Sequence, residues 1–418
     1  MLTEIGVGRT FQFAVAIFVS LLIFCFPLFS LHVDHWASTT SALLMISILT
    51  YPFLRHTGSL SDMEKRIVWV VSIFLIVLVI NYIFVDQSDF NYSRLRRYAR
   101  VLAIIPIIYV LNRVRPGVAW LWYGITVGAI VIGGLAIWEY LHHQHPAERV
   151  AGNTHPITFG CISLVLATMC LMALPYYRNI SKKLIILPIF ACLLGLTAAI
   201  LSETRGAWVA APVLVLFLTA FYRHKLGKVG IFIIAVTVLG ASLFLYFMPD
   251  SSVKRRIARA GNEVSAFVEK GDINTSIGAR LEMWRLGIQI FTENPIFGAG
   301  ASEFKKQVAS KIAKKQYSEF YRWYSEPHNE YIATLSSRGL IGLVALLALL
   351  VLPLRFFWQV FRMRKEESAM PALAGLILVI SFAIYGLTAS VLDMTRMVTF
   401  FAFYLGVLTS YAARGADS

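Results

Sequence analysis

Two arginines and one histidine occupy positions at which a charged or titratable side chain could do chemistry. Arg205 follows an apolar run and has only a short connection to the next, so it lies at a membrane surface, where a charge is costly and usually has a partner or a function. His328 stands where a long polar segment meets another apolar run, and its ring can accept a proton near neutral pH. Arg280 shares a helical face with Trp284, which could anchor it against the membrane.

Each of these residues also has a structural interpretation that needs no chemistry. Arg205 could pair with Glu203 or extend towards lipid head groups. A single histidine is more often hydrogen-bonded or solvated than catalytic, and Arg280 could pair with a nearby acid, either Glu282 or Glu326. Residue type and position therefore leave both interpretations open.

A histidine cluster is the other candidate for chemistry. His142, His143 and His145 lie close together in the sequence, with His155 nearby, but no carboxylate is suitably spaced and neighbouring histidines rarely satisfy one ion without help. The sequence also lacks a phosphate-cradling glycine loop and the paired acids that hold a nucleotide sugar through a metal. We therefore expect no metal, no cofactor and no soluble nucleotide donor.

The elements that position these residues are membrane helices. Of the 418 residues 58% are hydrophobic and 15% are charged, and the mean hydropathy is +0.68. A spanning helix needs about 20 mostly apolar residues, and about twelve segments qualify. They centre near 11–29, 37–53, 67–85, 99–112, 117–140, 156–174, 183–201, 206–222, 228–247, 340–358, 371–388 and 394–412. The 4 cysteines lie within such segments without CxxC spacing, which excludes a disulfide or zinc framework.

The distribution of basic residues predicts the orientation. Lysine and arginine in the short loops lie mostly on the side of the N-terminus, so both termini are expected in the cytoplasm. The long segment 248–327 then faces outward. Four arginines, Arg94, Arg96, Arg97 and Arg100, lie on the same outer side. They suit either an anionic ligand or contact with lipid head groups, and the sequence does not separate these roles.

The long segment shows helical periodicity in three stretches. Apolar residues recur at helical spacing over 253–268, Arg280–Phe291 and Phe304–Ile312, with breaks at Gly271–Gly278 and after Asn294-Pro295. The last stretch is basic and amphipathic, as is typical of helices at a membrane interface. We expect a structured cap resting on the bilayer.

Together these patterns predict an all-α polytopic membrane protein in three parts. Residues 1–247 form transmembrane helices 1 to 9, residues 248–338 form an outward helical loop with His328 near its end, and residues 339–418 form helices 10 to 12.

The order of several short motifs resembles the O-antigen ligase and polymerase superfamily of bacterial envelopes. The motifs are Arg205-Gly206, Gly278-Ala279-Arg280-x-x-x-Trp284, Asn294-Pro295-x-x-Gly298-x-Gly300, His328-Asn329-Glu330-Tyr331 and Gly339-Leu340-Ile341-Gly342. They cover about residues 200–345, and the rest of the chain matches only in hydropathy. Each motif is weak alone, but their order around one long loop is specific.

The resemblance implies a lipid-linked glycosyltransferase with a GT-C-like fold in the bacterial inner membrane. Such enzymes transfer a glycan from undecaprenyl diphosphate to a hydroxyl of lipid A-core on the periplasmic face, without a metal and with inversion. His328 would deprotonate the acceptor, Arg205 and Arg280 would hold the diphosphate, and Trp284, Asn329 and Glu330 would contact substrate or support the site. The expected partners are the donor, the acceptor and membrane lipids, and no nucleic acid.

Three other functions compete with the ligase. A polymerase of the same superfamily often has two large outward loops, whereas loops 86–98 and 141–155 are short here. A ligase that modifies protein is often longer. A lipid-glycan transporter would favour internal repeats and ionisable residues at the bilayer midplane, whereas these residues cluster at the outer interface.

Overall fold

The computed structural model describes residues 2–46, 49, 59–86, 92–142, 149–221, 252–363 and 366–414. Over these residues the chain is helical and contains no strand. The α-helices, in chain order, are α1 (Leu2–Phe29), α2 (Trp36–Ile46), α3 (Asp62–Phe84), α4 (Tyr92–Tyr98), α5 (Ile104–Val114), α6 (Val118–His142), α7 (Pro156–Met172), α8 (Leu174–Ile180), α9 (Ile186–Leu201), α10 (Arg205–Phe221), α11 (Ser252–Lys270), α12 (Ser276–Glu293), α13 (Glu303–Ala313), α14 (Glu330–Arg362), α15 (Glu366–Tyr385) and α16 (Thr395–Ala413).

Seven helices of the described chain are long and apolar enough to cross a membrane, and these are α1, α3, α6, α9 with its preceding turn, α14, α15 and α16. Helices α7 and α8 meet at a bend of 42° and form an eighth if they act as one span. An all-helical polytopic membrane protein is therefore confirmed. Among the other expected spans, α2 and α5 are short, α10 is a shorter apolar helix, and 228–247 lies outside the described residues. The count of twelve and the GT-C-like arrangement stay predictions.

Side-chain caps set where the helices that carry the site begin. The Asn329 side chain accepts hydrogen bonds from the N–H groups of Tyr331 and Ile332 and so starts α14. The Thr275 hydroxyl caps α12, and the His155 ring accepts the N–H of Ile157 at the start of α7. These caps satisfy orphan amide groups at the N-terminal ends of the helices, next to the candidate site residues.

Helix α16 lies at the centre of the bundle, and nearly all of its residues are buried. Around it, α6 packs against α1 and α9 through glycines. A methyl group at Gly124 would lie 2.8 Å from the Phe24 carbonyl oxygen, and one at Gly133 would lie 2.5 Å from Leu194 Cβ. Small residues of this kind let membrane helices approach closely. Outer helices such as α3 and α9 expose apolar side chains, as expected for contact with lipid.

The segment before His328 forms a cap with a small core of its own. Helices α12 and α13 and the 3₁₀ turn Glu319–Trp323 bury a cluster consisting of Ala279, Met283, Leu286, Ile290, Phe304, Val308, Tyr317 and Tyr321. The three helical stretches predicted from the periodicity are confirmed by α11, α12 and α13. This core makes the cap a structured unit that can hold side chains in fixed positions.

A kink in α14 explains two of the glycine motifs. Gly339 interrupts the helix with φ 64° and ψ −159°, a region that side-chain-bearing residues rarely adopt. The turn that follows Asn294 packs against α14 at this break and forms backbone hydrogen bonds with it. The Leu340 N–H donates to the Pro295 carbonyl oxygen, and the N–H groups of Ala299 and Gly300 donate to carbonyl oxygens of α14 before the kink. Backbone groups freed by the kink thus find partners inside the protein.

Candidate active site

Arg205 and Arg280 line one cleft, although the sequence separates them by the whole of α10 and α11. The cleft has a volume of about 640 Å³. Its lining residues are Arg149, Ile157, Glu203, Arg205, Gly206, Arg259, Glu263, Ser276, Arg280 and Thr388. Four of these are arginines and two are acids, so the cleft has a positive excess that suits an anionic ligand.

The two predicted arginines are close enough to influence each other. Burial lowers the pKa of the Arg280 guanidinium, the positive charge of Arg205 lowers it further, and Tyr324 and Glu263 act in the opposite direction. Arginine remains protonated despite such shifts, so the protein holds two like charges together in a partly desolvated place. A bound phosphate would relieve this repulsion.

The turn that carries Arg205 is held by its neighbours. Arg149 donates to the carbonyl oxygens of Ser202 (2.9 Å) and Glu203 (3.1 Å), which lie at the end of α9. Glu203 itself has a positive φ of 51°. A methyl group at Gly206 would lie 2.8 Å from the Thr388 hydroxyl oxygen, so this glycine allows the chain after α15 to line the cleft. The Arg205-Gly206 motif thereby places a cation where two bundle segments meet.

His328 lies at the entrance to α14, next to this cleft but not among its lining residues. Its backbone has φ 52°, and its side chain is 37% exposed. The ring contacts Tyr324 edge-on at 5.5 Å between centroids, and the charge of Arg280 acts on the same tyrosine. His328 also influences His155, whose pKa is lowered by burial, then by Arg149, and then by His328. The imidazole therefore contacts Tyr324, and Tyr324 and His155 both lie within the electrostatic influence of cleft arginines.

Glu326 is the carboxylate beside the histidine. Its Oε1 lies 3.5 Å from His328 Nδ1. Burial alone would raise the pKa of the Glu326 carboxyl, but the hydrogen bond and charge of His328, together with the charge of Arg94, bring the pKa below its ordinary value. Glu326 is thus an ionised partner that can fix the orientation of the ring.

Asn329 and Glu330 point into the protein. The Asn329 amide donates to the Leu387 carbonyl oxygen at 3.2 Å while it caps α14. The Glu330 carboxylate accepts from the Tyr98 hydroxyl (3.0 Å) and the Leu392 N–H (2.9 Å) and is buried. Glu330 therefore does not orient His328, because its first-turn position on α14 directs it towards α4. Contact of either residue with substrate stays a prediction.

Trp284 lies one turn beyond Arg280 on α12 and is half-buried. Its indole N–H is buried with no hydrogen-bond partner among the described residues. An indole N–H in this state is normally hydrogen-bonded, so it is a donor available to a ligand. A role for Trp284 at the site stays a prediction.

Three of the four arginines of α4 and the turn after it have partners within the protein. Arg94 and Arg97 pair with Asp393 at 3.4 Å and 2.8 Å, and Arg100 donates to the hydroxyl of Ser38 at 2.7 Å. Arg94 and Arg97 reach Asp393 because the chain between α15 and α16 folds back onto α4, whereas Arg100 reaches Ser38 of α2. Arg96 is exposed.

The histidine cluster is divided in the structure. His142 stacks on Trp138, and its Nδ1 lies 2.8 Å from the Trp138 carbonyl oxygen, whereas His155 caps α7. His143 and His145 lie outside the described residues. The described members therefore have separate local roles.

Comparison with known proteins finds a family match for one part of the chain and distant relatives for most of it. A family model described as O-antigen ligase matches residues 190–347. The O-antigen ligase of Escherichia coli K12 is 23% identical over 301 residues, which cover 68% of this chain and 69% of that protein. Residues 190–347 are therefore similar to the O-antigen ligase family. An uncharacterized protein of Haemophilus influenzae is 25% identical over 346 residues, or 81% of this chain and 84% of that protein.

The matched region of the superfamily runs from α9 to the first half of α14 and contains Arg205, Arg280 and His328. Motif reasoning did not assign Glu326, Tyr324 or Thr388 to the site. Glu326 and Tyr324 lie within four residues of His328, so proximity in sequence could have suggested them. Thr388 follows a different apolar run, and nothing in the sequence links it to Arg205.

Proposed function

We propose that the protein is an O-antigen ligase. It transfers a glycan from undecaprenyl diphosphate to a sugar hydroxyl of lipid A-core in lipopolysaccharide biosynthesis, at the periplasmic face of the bacterial inner membrane. Both termini are cytoplasmic in this proposal. The observation that carries it is the pair of arginines, Arg205 and Arg280, that line one cleft, together with an imidazole that contacts Tyr324.

The arginines stabilise the leaving group. As the bond between the anomeric carbon and the diphosphate oxygen breaks, negative charge gathers on undecaprenyl diphosphate. Guanidinium groups of Arg205 and Arg280 bind such oxygens more strongly as this charge grows, which lowers the barrier. Arg149 supports the arrangement indirectly, since it holds the turn that precedes Arg205. Two fixed cations supply the charge stabilisation that a divalent metal provides in other transferases.

His328 activates the acceptor. With the Nδ1 proton directed at Glu326, Nε2 is the basic nitrogen and takes the proton of the acceptor hydroxyl. The hydroxyl oxygen then forms the new bond to the anomeric carbon from the face remote from the diphosphate, so the configuration inverts. The proton ends on His328 and the electron pair of the broken bond ends on the diphosphate.

A glycan polymerase and a protein-directed ligase use the same chemistry with a different acceptor. The comparison with a named O-antigen ligase favours the lipid A-core acceptor. A transporter is less well supported, because the arginines and the histidine gather at the ends of helices around one cleft.

Reconstitution tests this function. Purified protein in nanodiscs is supplied with undecaprenyl diphosphate glycan and with lipid A-core, a second lipid-linked glycan or a protein acceptor. Glycan attached to lipid A-core, at an undiminished rate in EDTA, is the expected result. Extension of the second glycan instead identifies a polymerase, and no product with any acceptor contradicts the transferase. Activity lost in EDTA and restored by magnesium contradicts the proposed role of the arginines.

A further inference from the structure

A second basic cleft lies between α3, α4 and α13. It has a volume of about 1420 Å³ and shares no lining residue with the cleft of Arg205 and Arg280. We name it the α3–α13 cleft. Its charged lining residues are Arg94, Arg97, Lys305, Lys306, Arg338 and one acid, Asp86. No step of the transfer chemistry uses these residues.

Positive charge is in excess in the α3–α13 cleft. Five cationic side chains and one carboxylate line the cleft, and Arg94 and Arg97 both pair with Asp393. Lys305 and Lys306 are adjacent on α13 and exposed. Two lysines beside a pair of fixed guanidinium groups form a site for phosphate rather than for a neutral sugar.

The cleft leads to the loop that carries the imidazole. A smaller pocket of about 300 Å³ shares Arg94, Ser325 and Arg338 with it and continues to Glu326 and Pro327. Pro327 immediately precedes His328. A molecule with its charged part at Lys305 can therefore extend a neighbouring part to the base.

One wall of the cleft is membrane helix. Leu78 and Tyr82 of α3 line it, and the same end of α3 exposes the apolar side chains of Ile80, Ile83 and Phe84. A ligand with a phosphate-bearing head and an acyl part fits this arrangement, because the head can enter the cleft while the chains stay in the bilayer along α3.

We propose that the α3–α13 cleft binds the phosphate groups of the anionic glycolipid acceptor. This inference rests on the proposed function. An inverting displacement needs the acceptor oxygen and the departing diphosphate on different sides of the anomeric carbon. Two separate basic clefts supply these positions, since the α3–α13 cleft continues to Glu326 and Pro327 whereas Arg205 and Arg280 line the other.

The test compares two double variants that remove the same charge from α13 and the turn after it. Lys305→Gln with Lys306→Gln alters the cleft, whereas Lys314→Gln with Lys315→Gln alters exposed lysines that do not line it. Initial rates and direct binding are measured in nanodiscs of zwitterionic lipid, with phosphorylated or chemically dephosphorylated lipid A-core as acceptor.

We expect the first double variant to raise the KM for phosphorylated acceptor roughly tenfold, because two exposed charge contacts together contribute about that much to affinity. The KM for donor and the KM for dephosphorylated acceptor stay unchanged, and the second double variant behaves as wild type. Equal effects of both double variants, or no effect of the first, overturn the proposal. An effect that appears only when phosphatidylglycerol is added to the nanodiscs identifies bulk lipid as the ligand and also overturns it.

Direct binding separates this inference from the proposed function. If wild-type protein binds phosphorylated lipid A-core through Lys305 and Lys306 but forms no product, the result refutes the proposed transfer function and supports the proposed binding site. If product forms and neither double variant changes acceptor binding, the result refutes the proposed binding site and supports the proposed transfer function.

Discussion

His328 has a backbone conformation that side-chain-bearing residues adopt at a cost. A left-handed φ of 52° typically costs on the order of 1–3 kcal/mol and persists only where surrounding contacts impose it. Here Asn329 is tied to Leu387, and Pro327 packs on Gly287 of α12, where an added methyl group would lie 3.1 Å from the proline ring. Such a fixed loop can hold the imidazole in one orientation.

Replacement of His328 by alanine tests its role as base. We expect His328→Ala to reduce the transfer rate by roughly 10²- to 10⁴-fold, as loss of a positioned base does, with normal membrane insertion. The rate is measured in nanodiscs with saturating donor and acceptor. His142→Ala is the matched control, because His142 only stacks on Trp138, and it should keep full activity. An active His328→Ala protein would remove this residue from the mechanism.

Glu326→Gln tests whether the carboxylate orients the imidazole. We expect kcat to fall by roughly 10- to 100-fold while the KM values for donor and acceptor change little, because the ring loses its ionised partner but the clefts remain. The exposed Glu319→Gln serves as control. In the background of His328→Ala the Glu326→Gln change should have no further effect, since the two residues act as one unit. Additive losses would refute that coupling.

At the scale of elements, the kink in α14 lets the cap and the bundle interlock. The turn after α12 donates backbone hydrogen bonds to α14 before Gly339 and accepts them after it. From α3, the Asn81 amide donates to the Phe297 carbonyl oxygen at 2.7 Å in the same turn. These hydrogen bonds form a junction between the cap and the bundle. Because the first segment of α14 begins at the His328 loop, the junction fixes the cap relative to the candidate site.

Gly339→Ala tests the junction. A methyl group there would lie 2.3 Å from the Ile296 carbonyl oxygen, and alanine disfavours the positive φ, so unfolding free energy should fall by about 2 kcal/mol or more. Thermal unfolding in detergent measures the change. Gly134→Ala in α6 is the control, because nothing lies within 4 Å of its added methyl group and alanine favours a helix. Equal stability of both variants would contradict the importance of the kink.

The segment between α15 and α16 joins parts of the site that are distant in sequence. Thr388 reaches the cleft of Arg205, Leu392 donates to Glu330, and Asp393 pairs with Arg94 and Arg97. Because one short segment makes all these contacts, a shift of α15 relative to α16 would move both clefts together.

On the scale of the whole molecule, both clefts open at the side of the bundle where the cap sits. Charge distribution predicts that this side is periplasmic, which is where the lipid-linked substrates of the proposed reaction would meet.

Single cysteines test this orientation. Of the four native cysteines, Cys161, Cys170 and Cys192 are buried and Cys25 of α1 is half-buried, so the unsubstituted protein is labelled in parallel to measure the background. In intact spheroplasts, Lys314→Cys should react with a membrane-impermeant maleimide, whereas Lys182→Cys should react only after permeabilisation. Both positions are exposed, so the difference reports the side of the membrane. The reverse pattern would invert the proposed topology and remove the periplasmic reaction.

The sequence by itself determined the class of the protein and its principal candidates. Long apolar runs leave no alternative to membrane helices, because a buried backbone in lipid must satisfy its hydrogen bonds locally. The helices of the cap could be predicted from periodicity, because the recurrence of apolar residues about every 3.6 residues is a property of the local sequence. Arg205, Arg280 and His328 were chosen from local motifs, and their roles stay predictions.

Only the tertiary structure decided which of these residues meet. Arg205 and Arg280 come together because α10 and α11 return the chain to one cleft, and no local pattern records that path. Glu326 rather than Glu330 lies beside His328, because the left-handed turn and the start of α14 direct the two carboxylates to different places. Asp393 pairs with Arg97 across 296 residues of the sequence and also pairs with Arg94. Such contacts depend on helix packing, which acts between segments that are distant in sequence.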